Sequence, residues 1–122
     1  MSRIMIVEDE ESLHALYKKM LRLKNHDVVA EAYNGVEAVD LFIKTRPEII
    51  IMDYRLPLKD GLQATKEIVA LDSNVKIIFA SADTTVKAQA LEAGAKAFHT
   101  KPFSMRELFK TIQHLSTNIH SS

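Results

Sequence analysis

The 122 residues carry sixteen basic and sixteen acidic side chains, no cysteine, 47% hydrophobic and 26% charged residues. That length holds one domain able to bury roughly two-thirds of its unfolded surface, and the composition excludes a disordered chain. Balanced charge removes the basic field that direct nucleic-acid binding or an anionic membrane surface would need, and the absent thiols exclude disulfides and thiolate metal sites. No run approaches the roughly 20 apolar residues of a membrane span. Met1-Ser2-Arg3 leads straight into a strand-like run, without the parts of a signal peptide, so the expected location is the cytoplasm.

Strand-type and helix-type patterns then alternate. Arg3-Ile-Met-Ile-Val7 predicts a first strand. After Asp9, Leu13, Leu16, Tyr17, Met20 and Leu23 recur at helical spacing, with Lys18, Lys19, Arg22 and Lys24 between them. Asp27 to Ala32 is a weaker strand, and Asn34-Gly35 opens a second helix through Val39, Phe42 and Ile43 that stops before Pro47. Glu48-Ile-Ile-Ile-Met52 is a third strand, and Asp60-Gly61 starts a third helix with Leu62, Thr65, Ile68, Val69 and Leu71. Lys76-Ile-Ile-Phe-Ala80 is a fourth strand. Thr84 to Ala93 is a short, alanine-rich fourth helix ended by Gly94, suited to a left-handed cap. Ala97-Phe-His-Thr100 is a fifth strand, and Ser104-Met-Arg-Glu107 reads as a capping box for a fifth helix through Leu108, Phe109, Ile112 and Leu115. The polar tail from Ser116 should fray, leaving a domain over 1–116 and a disordered tail over 117–122.

Five βα units imply a parallel sheet with helices on both faces, and right-handed crossovers leave few arrangements. The expected fold is an α/β, flavodoxin-like (βα)5 three-layer sandwich with strand order 2-1-3-4-5. That order sets strands one and three side by side at the switch point, where ligands bind beyond the strand carboxyl ends. Continuous apolar runs suit these two strands, covered on both faces, while the weaker second strand suits an edge.

Four of the five strand-like runs end in polar groups: Glu8-Asp9, Asp53, Ser81 and Lys101-Pro102. Neighbouring carboxylates repel unless a cation intervenes, and Mg2+ prefers one or two carboxylates, waters and phosphate oxygens. Asp53 would then be a carboxylate nucleophile toward phosphorus, with Lys101 as a point charge and Ser81 as a hydroxyl donor for the phosphoryl oxygens. Singly, each has a plainer reading. An acidic pair after a strand is commonly a solvated turn, Ser81 a loop hydroxyl and Lys101-Pro102 a turn. The conjunction at strand ends carries the argument.

Glu8-Asp9, Asp53 with Leu56-Pro57 and Asp60-Gly61, Ser81-Ala82, Ala93-Gly94-Ala95 and Lys101-Pro102-Phe103 resemble the receiver domain of two-component response regulators, over essentially Arg3 to Leu115. The chain looks like a stand-alone, chemotaxis-regulator-like member. The resemblance implies that Asp53 accepts a phosphoryl group from a phosphohistidine on a sensor histidine kinase or phosphotransfer protein. It implies Mg2+ on Asp9, Asp53 and the Arg55 backbone carbonyl, with Glu8 assisting, and a cis Lys101-Pro102 peptide. Such a protein catalyses only its own phosphorylation and dephosphorylation. Ser81 and Phe98 would switch the face of helix four, strand five and helix five toward a downstream effector protein, the chain being a monomer or a phosphorylation-linked dimer. Phe98, where the chemotaxis regulator has tyrosine, can switch by packing but donates no hydrogen bond; a plain core aromatic is the competing reading.

Arg55 and Asp83 correspond to variable flanking positions and are expected to pair across the site mouth, against the alternative of two solvated side chains. Leu58 replaces the glycine common before the Asp-Gly of this loop. His14, His26, His99, His114 and His120 have no metal-ligand spacing and read as surface or packing residues. An aspartate-nucleophile phosphohydrolase is disfavoured because Arg55, where a second aspartate would stand, has no proton to give at neutral pH. A nucleotide module is disfavoured because Glu8-Asp-Glu-Glu11 stands where a glycine-rich phosphate loop belongs. An unphosphorylated docking platform remains the third alternative.

Overall fold

Side chains on a strand alternate between faces, so a strand covered on both sides must be apolar throughout. The third strand, Ile49–Asp53, has five buried residues in a row and obeys this from Ile49 to Met52, ending in the buried carboxylate of Asp53. Ile49 and Ile51 join Ile4, Ile6 and Ile78 on one face, while Ile50 and Met52 join Met5, Val7, Ile77 and Phe79 on the other.

The computed structural model describes residues 1–118, and side chains through Ser116. Its elements are β1 (Arg3–Val7), α1 (Glu11–Leu23), β2 (Asp27–Ala32), α2 (Gly35–Thr45), β3 (Ile49–Asp53), α3 (Gly61–Leu71), β4 (Lys76–Ser81), α4 (Lys87–Glu92), β5 (Ala97–Thr100) and α5 (Met105–Asn118). All strands are parallel in the order β2-β1-β3-β4-β5, the flavodoxin-like arrangement expected. Tyr17 and Leu21 of α1, with Leu108, Ile112 and Leu115 of α5, cover the first face. Ala38 and Phe42 of α2, Ala64 and Ile68 of α3, and Ala90 of α4 cover the second. Large side chains such as Phe42 and Ile68 are fully buried, each contributing roughly 1.5–3 kcal/mol of burial free energy.

Helix boundaries follow local hydrogen bonds. Asn34 and Asp60 cap α2 and α3 by accepting from Glu37 N–H and Gln63 N–H at 2.8 Å each. The helix expected over Thr84 to Ala93 is divided: Asp83 Oδ1 accepts from Thr85 N–H at 2.9 Å, tightening Thr84–Val86 into a 3₁₀ turn ahead of α4. Gly94 takes the positive φ expected, +117°. Only half of the capping box forms, since Ser104 Oγ accepts from Glu107 N–H at 3.1 Å while the Glu107 carboxylate lies 4.0 Å from His99 Nδ1. α5 runs through Ser116, whose hydroxyl meets that of Ser2 at 2.9 Å, to Asn118. The rest of the expected tail, 119–122, lies outside the described residues.

Candidate phosphoryl site

Register builds the site. Ile6 pairs with Ile51 and Val7 with Met52, so one step further the chain sets Glu8 beside Asp53. Period two then puts both carboxylates on the side of Ile6 and Ile51, toward α1 and α5. Across the sheet, Asp53 pairs with Ala80 and Ser81 with Thr100, and Lys101 N–H bonds the Ser81 carbonyl at 2.9 Å. Lys101 thereby leaves β5 within reach of both acids.

Its ammonium lies 2.8 Å from Glu8 Oε1 and 2.9 Å from Asp53 Oδ1. Glu8 is 1% exposed and Asp53 7%. The second Glu8 oxygen accepts from Glu10 N–H at 3.0 Å, and Glu10 caps α1 by accepting from Leu13 N–H. Asp9 projects from the same turn, exposed, and one carboxylate oxygen each of Glu8, Asp9 and Asp53 lies within 4.8 Å of the others. Burial raises the Asp53 carboxyl above its usual range, Glu8 adds to the rise, and Lys101 with the Tyr54 N–H opposes it. Burial alone would lower Lys101, but its bonds to Glu8 and Asp53 prevail and hold it well above the lysine range. The lysine is thus firmly charged, and Asp53 is a desolvated carboxylate.

The other expected residues divide. Ser81 is 2% exposed at the end of β4, with its hydroxyl accepting from Asp83 N–H at 2.9 Å. Phe98 is half-buried and stacks on Phe79, ring centroids 6.0 Å apart. Arg55 and Asp83 do meet, Nη2 to Oδ2 at 3.7 Å, with Arg55 78% exposed and its guanidinium over the Tyr54 ring. Thr85 holds Asp83 more closely, and its two hydrogen bonds are the main cause of the lowered Asp83 pKa. The Lys101-Pro102 peptide is cis. Leu58 adopts φ +69°, closed by a Lys59 N–H to Pro57 carbonyl bond of 2.8 Å, so this loop keeps a conformation costly for a branched side chain.

Sequence reasoning missed three contributors. Gly61 was legible as a helix start, but its part here is steric: a Cβ would lie 1.9 Å from the Asp53 carbonyl oxygen. Tyr17 was legible as core, yet it also lines an apolar hollow of about 380 Å³ beside Lys101, with Leu13, Leu16 and Met105. Burial pushes its phenol up to about 12. His14, off the apolar stripe of α1, is buried behind the acidic turn. The first two signals existed as apolar or turn residues; nothing in the spacing marked His14.

A doubly wound α/β domain that gathers carboxylates and one lysine at its switch point defines a phosphoryl-handling class of protein. Within that class, the chain belongs to the response regulator receiver domain family, whose profile matches residues 4–113. It is therefore a phosphoacceptor module of two-component signalling. It is 37% identical to the chemotaxis protein CheY of Bacillus subtilis over 112 residues, 90% of this chain and 93% of that one. Among solved structures, the Francisella response regulator 1452 receiver domain superposes with a TM-score of 0.90 at 25% identity, covering 98% and 99% of the two chains. The receiver domain of sensor histidine kinase PA1611 from Pseudomonas aeruginosa, with a magnesium ion in its active site cleft, gives 0.84 at 33% identity, covering 93% and 96%. No helix among the described residues is long and apolar enough to cross a membrane.

Proposed function

We propose that Asp53 is the phosphoacceptor, taking its phosphoryl group from a phosphohistidine on a sensor histidine kinase or phosphotransfer protein. One observation carries this reading: the Lys101 ammonium sits between Glu8 and Asp53 at the carboxyl edge of the sheet. An Asp53 oxygen attacks phosphorus, the P–N bond breaks, and the departing imidazole nitrogen keeps the electron pair and takes up a proton. Burial raises the basicity of Asp53 and with it its nucleophilicity. Lys101, held protonated, meets the negative charge on the phosphoryl oxygens. Hydrolysis reverses the state: water attacks phosphorus, the P–O bond to Asp53 breaks, and phosphate leaves. The chain catalyses only its own phosphorylation and dephosphorylation.

Three carboxylate oxygens within 4.8 Å fit a hard divalent cation. Glu8, Asp9, Asp53 and the Arg55 backbone carbonyl would hold Mg2+. When bound, the ion supplies positive charge against carboxylate repulsion and phosphoryl charge. The apolar hollow lined by Leu13, Leu16 and Met105 offers the donor protein a seat beside Lys101.

The output runs through Ser81 and Phe98. The Ser81 hydroxyl leaves the Asp83 N–H for a phosphoryl oxygen, and Phe98 swings from its Phe79 stack into the space vacated, changing the face of α4, β5 and α5 that an effector protein reads. The module acts in the cytoplasm, as a monomer or a phosphorylation-linked dimer. Arg55 and Asp83 screen the phosphoryl group from water.

Intact mass after incubation with acetyl phosphate and Mg2+ tests this. One adduct of about 80 Da is expected in the unaltered chain and none in Asp53→Ala. Followed in time, the adduct should decay faster in Arg55→Ala; an equal decay rate removes Arg55 from the account. An unaltered chain that gains no mass would sink the phosphoacceptor reading and leave the docking platform.

A further inference from the structure

We propose that His14 is a positioning residue for the divalent cation of this site, acting through the backbone of Glu8; the inference rests on the metal-dependent reading above. His14 is 2% exposed on α1. Its Nδ1 lies 2.8 Å from the Glu8 carbonyl oxygen, and since a carbonyl only accepts, Nδ1 carries the hydrogen. Its Nε2 lies 3.1 Å from Glu31 Oε1 on β2, while Lys18 Nζ holds the other Glu31 oxygen at 3.0 Å. One face of the ring stacks on Tyr33, centroids 4.3 Å apart and planes 12° from parallel. Helix, neighbouring strand and stack all fix the same imidazole.

What the imidazole fixes in turn is the peptide joining Glu8 to Asp9, two of the three clustered acids. Every polar group of Glu8 has a partner: its N–H bonds the Ala32 carbonyl at 3.1 Å, its carboxylate bonds Lys101 and Glu10 N–H, and its carbonyl bonds His14. Without the His14 hydrogen bond the Glu8–Asp9 peptide can rotate, and the buried carbonyl loses its partner. The cation must then reorder the turn as it binds, at a cost in affinity. Removing partners that orient metal ligands typically weakens binding about 10–100-fold.

The probe is Mn2+, its free concentration read by electron paramagnetic resonance on the unphosphorylated chain. His14→Phe keeps the ring and the stack but has no donor, and its Mn2+ Kd should rise about tenfold. His14→Asn, whose amide nitrogen is bonded to Cγ as the imidazole Nδ1 is and can donate to the same carbonyl, should stay within about threefold. Loss of any imidazole charge would act in the opposite direction, strengthening cation binding, so weaker binding isolates the positioning effect. A second reading needs no variant: saturating Mg2+ should move the His14 Nδ1–H resonance. An unchanged Kd in folded His14→Phe, or a resonance indifferent to saturating Mg2+, overturns the role. A native chain that binds neither ion overturns the metal site itself, a result distinct from normal binding in both chains.

Discussion

Asp53 closes the most apolar run of the chain, and its carboxylate is dehydrated for that reason. Its pKa is raised on folding, so from the unfolded value near 3.9 up to the raised folded value the native state binds more protons. Over that window stability falls as pH rises. Lys101 works the other way round: its contribution is complete below the unfolded lysine value and is lost only as pH rises through its elevated folded value, far above the acid range. In metal-free buffer, Asp53→Asn should therefore be more stable than the native chain at pH 7, by roughly 0.5–2 kcal/mol, with the advantage shrinking toward pH 4. Urea unfolding across that range measures it. A variant less stable at pH 7 would mean that the attraction of Lys101 outweighs the dehydration of Asp53.

Elements meet here at distances that sequence patterns do not encode. The Asp60-Gly61 pair announces a helix start, and Asp60 does cap α3, but Gly61 is there because α3 begins against the Asp53 backbone. Gly35 likewise faces the Lys59 carbonyl, 2.0 Å from where its Cβ would be. Gly61→Ala must push β3 and α3 apart, at a cost of about 2–3 kcal/mol. Because the displaced atom belongs to Asp53, the proposed phosphoacceptor, acetyl phosphate labelling should slow as well; normal labelling in a destabilised variant would confine Gly61 to packing. Local chemistry also explains the departures from expectation. The Asp83 cap turns the start of the fourth helix into a 3₁₀ turn, and the Glu107 carboxylate lies toward His99 rather than completing its box. Periodicity reports which face is apolar, whereas these outcomes depend on which acceptor lies nearest a given N–H.

At the scale of the molecule, the cation site proposed at the clustered carboxylates would couple folding to metal. A cation that binds only the native state stabilises it by RT ln(1 + [L]/Kd), about 2.7 kcal/mol at a hundredfold excess over Kd. Mg2+ should raise the unfolding midpoint of the native chain and do much less for Asp9→Asn; an equal rise in both would place the ion elsewhere. The alternation of strand and helix patterns, the solid apolar runs of β1 and β3, and polar residues at strand ends were readable from sequence alone. They follow from periods of 2 and 3.6 residues and the need to bury apolar faces, which are local rules. With the right-handed crossover rule they left few strand orders, among them the one that brings Glu8, Asp53 and Lys101 together. Only the tertiary structure decided that Lys101 bridges both acids, that the Ser81 hydroxyl bonds the Asp83 N–H, that Gly61 meets the Asp53 carbonyl and that His14 holds Glu8. Each of these depends on a few tenths of an ångström between segments far apart in the chain or on the choice among competing acceptors, and no linear spacing carries that information.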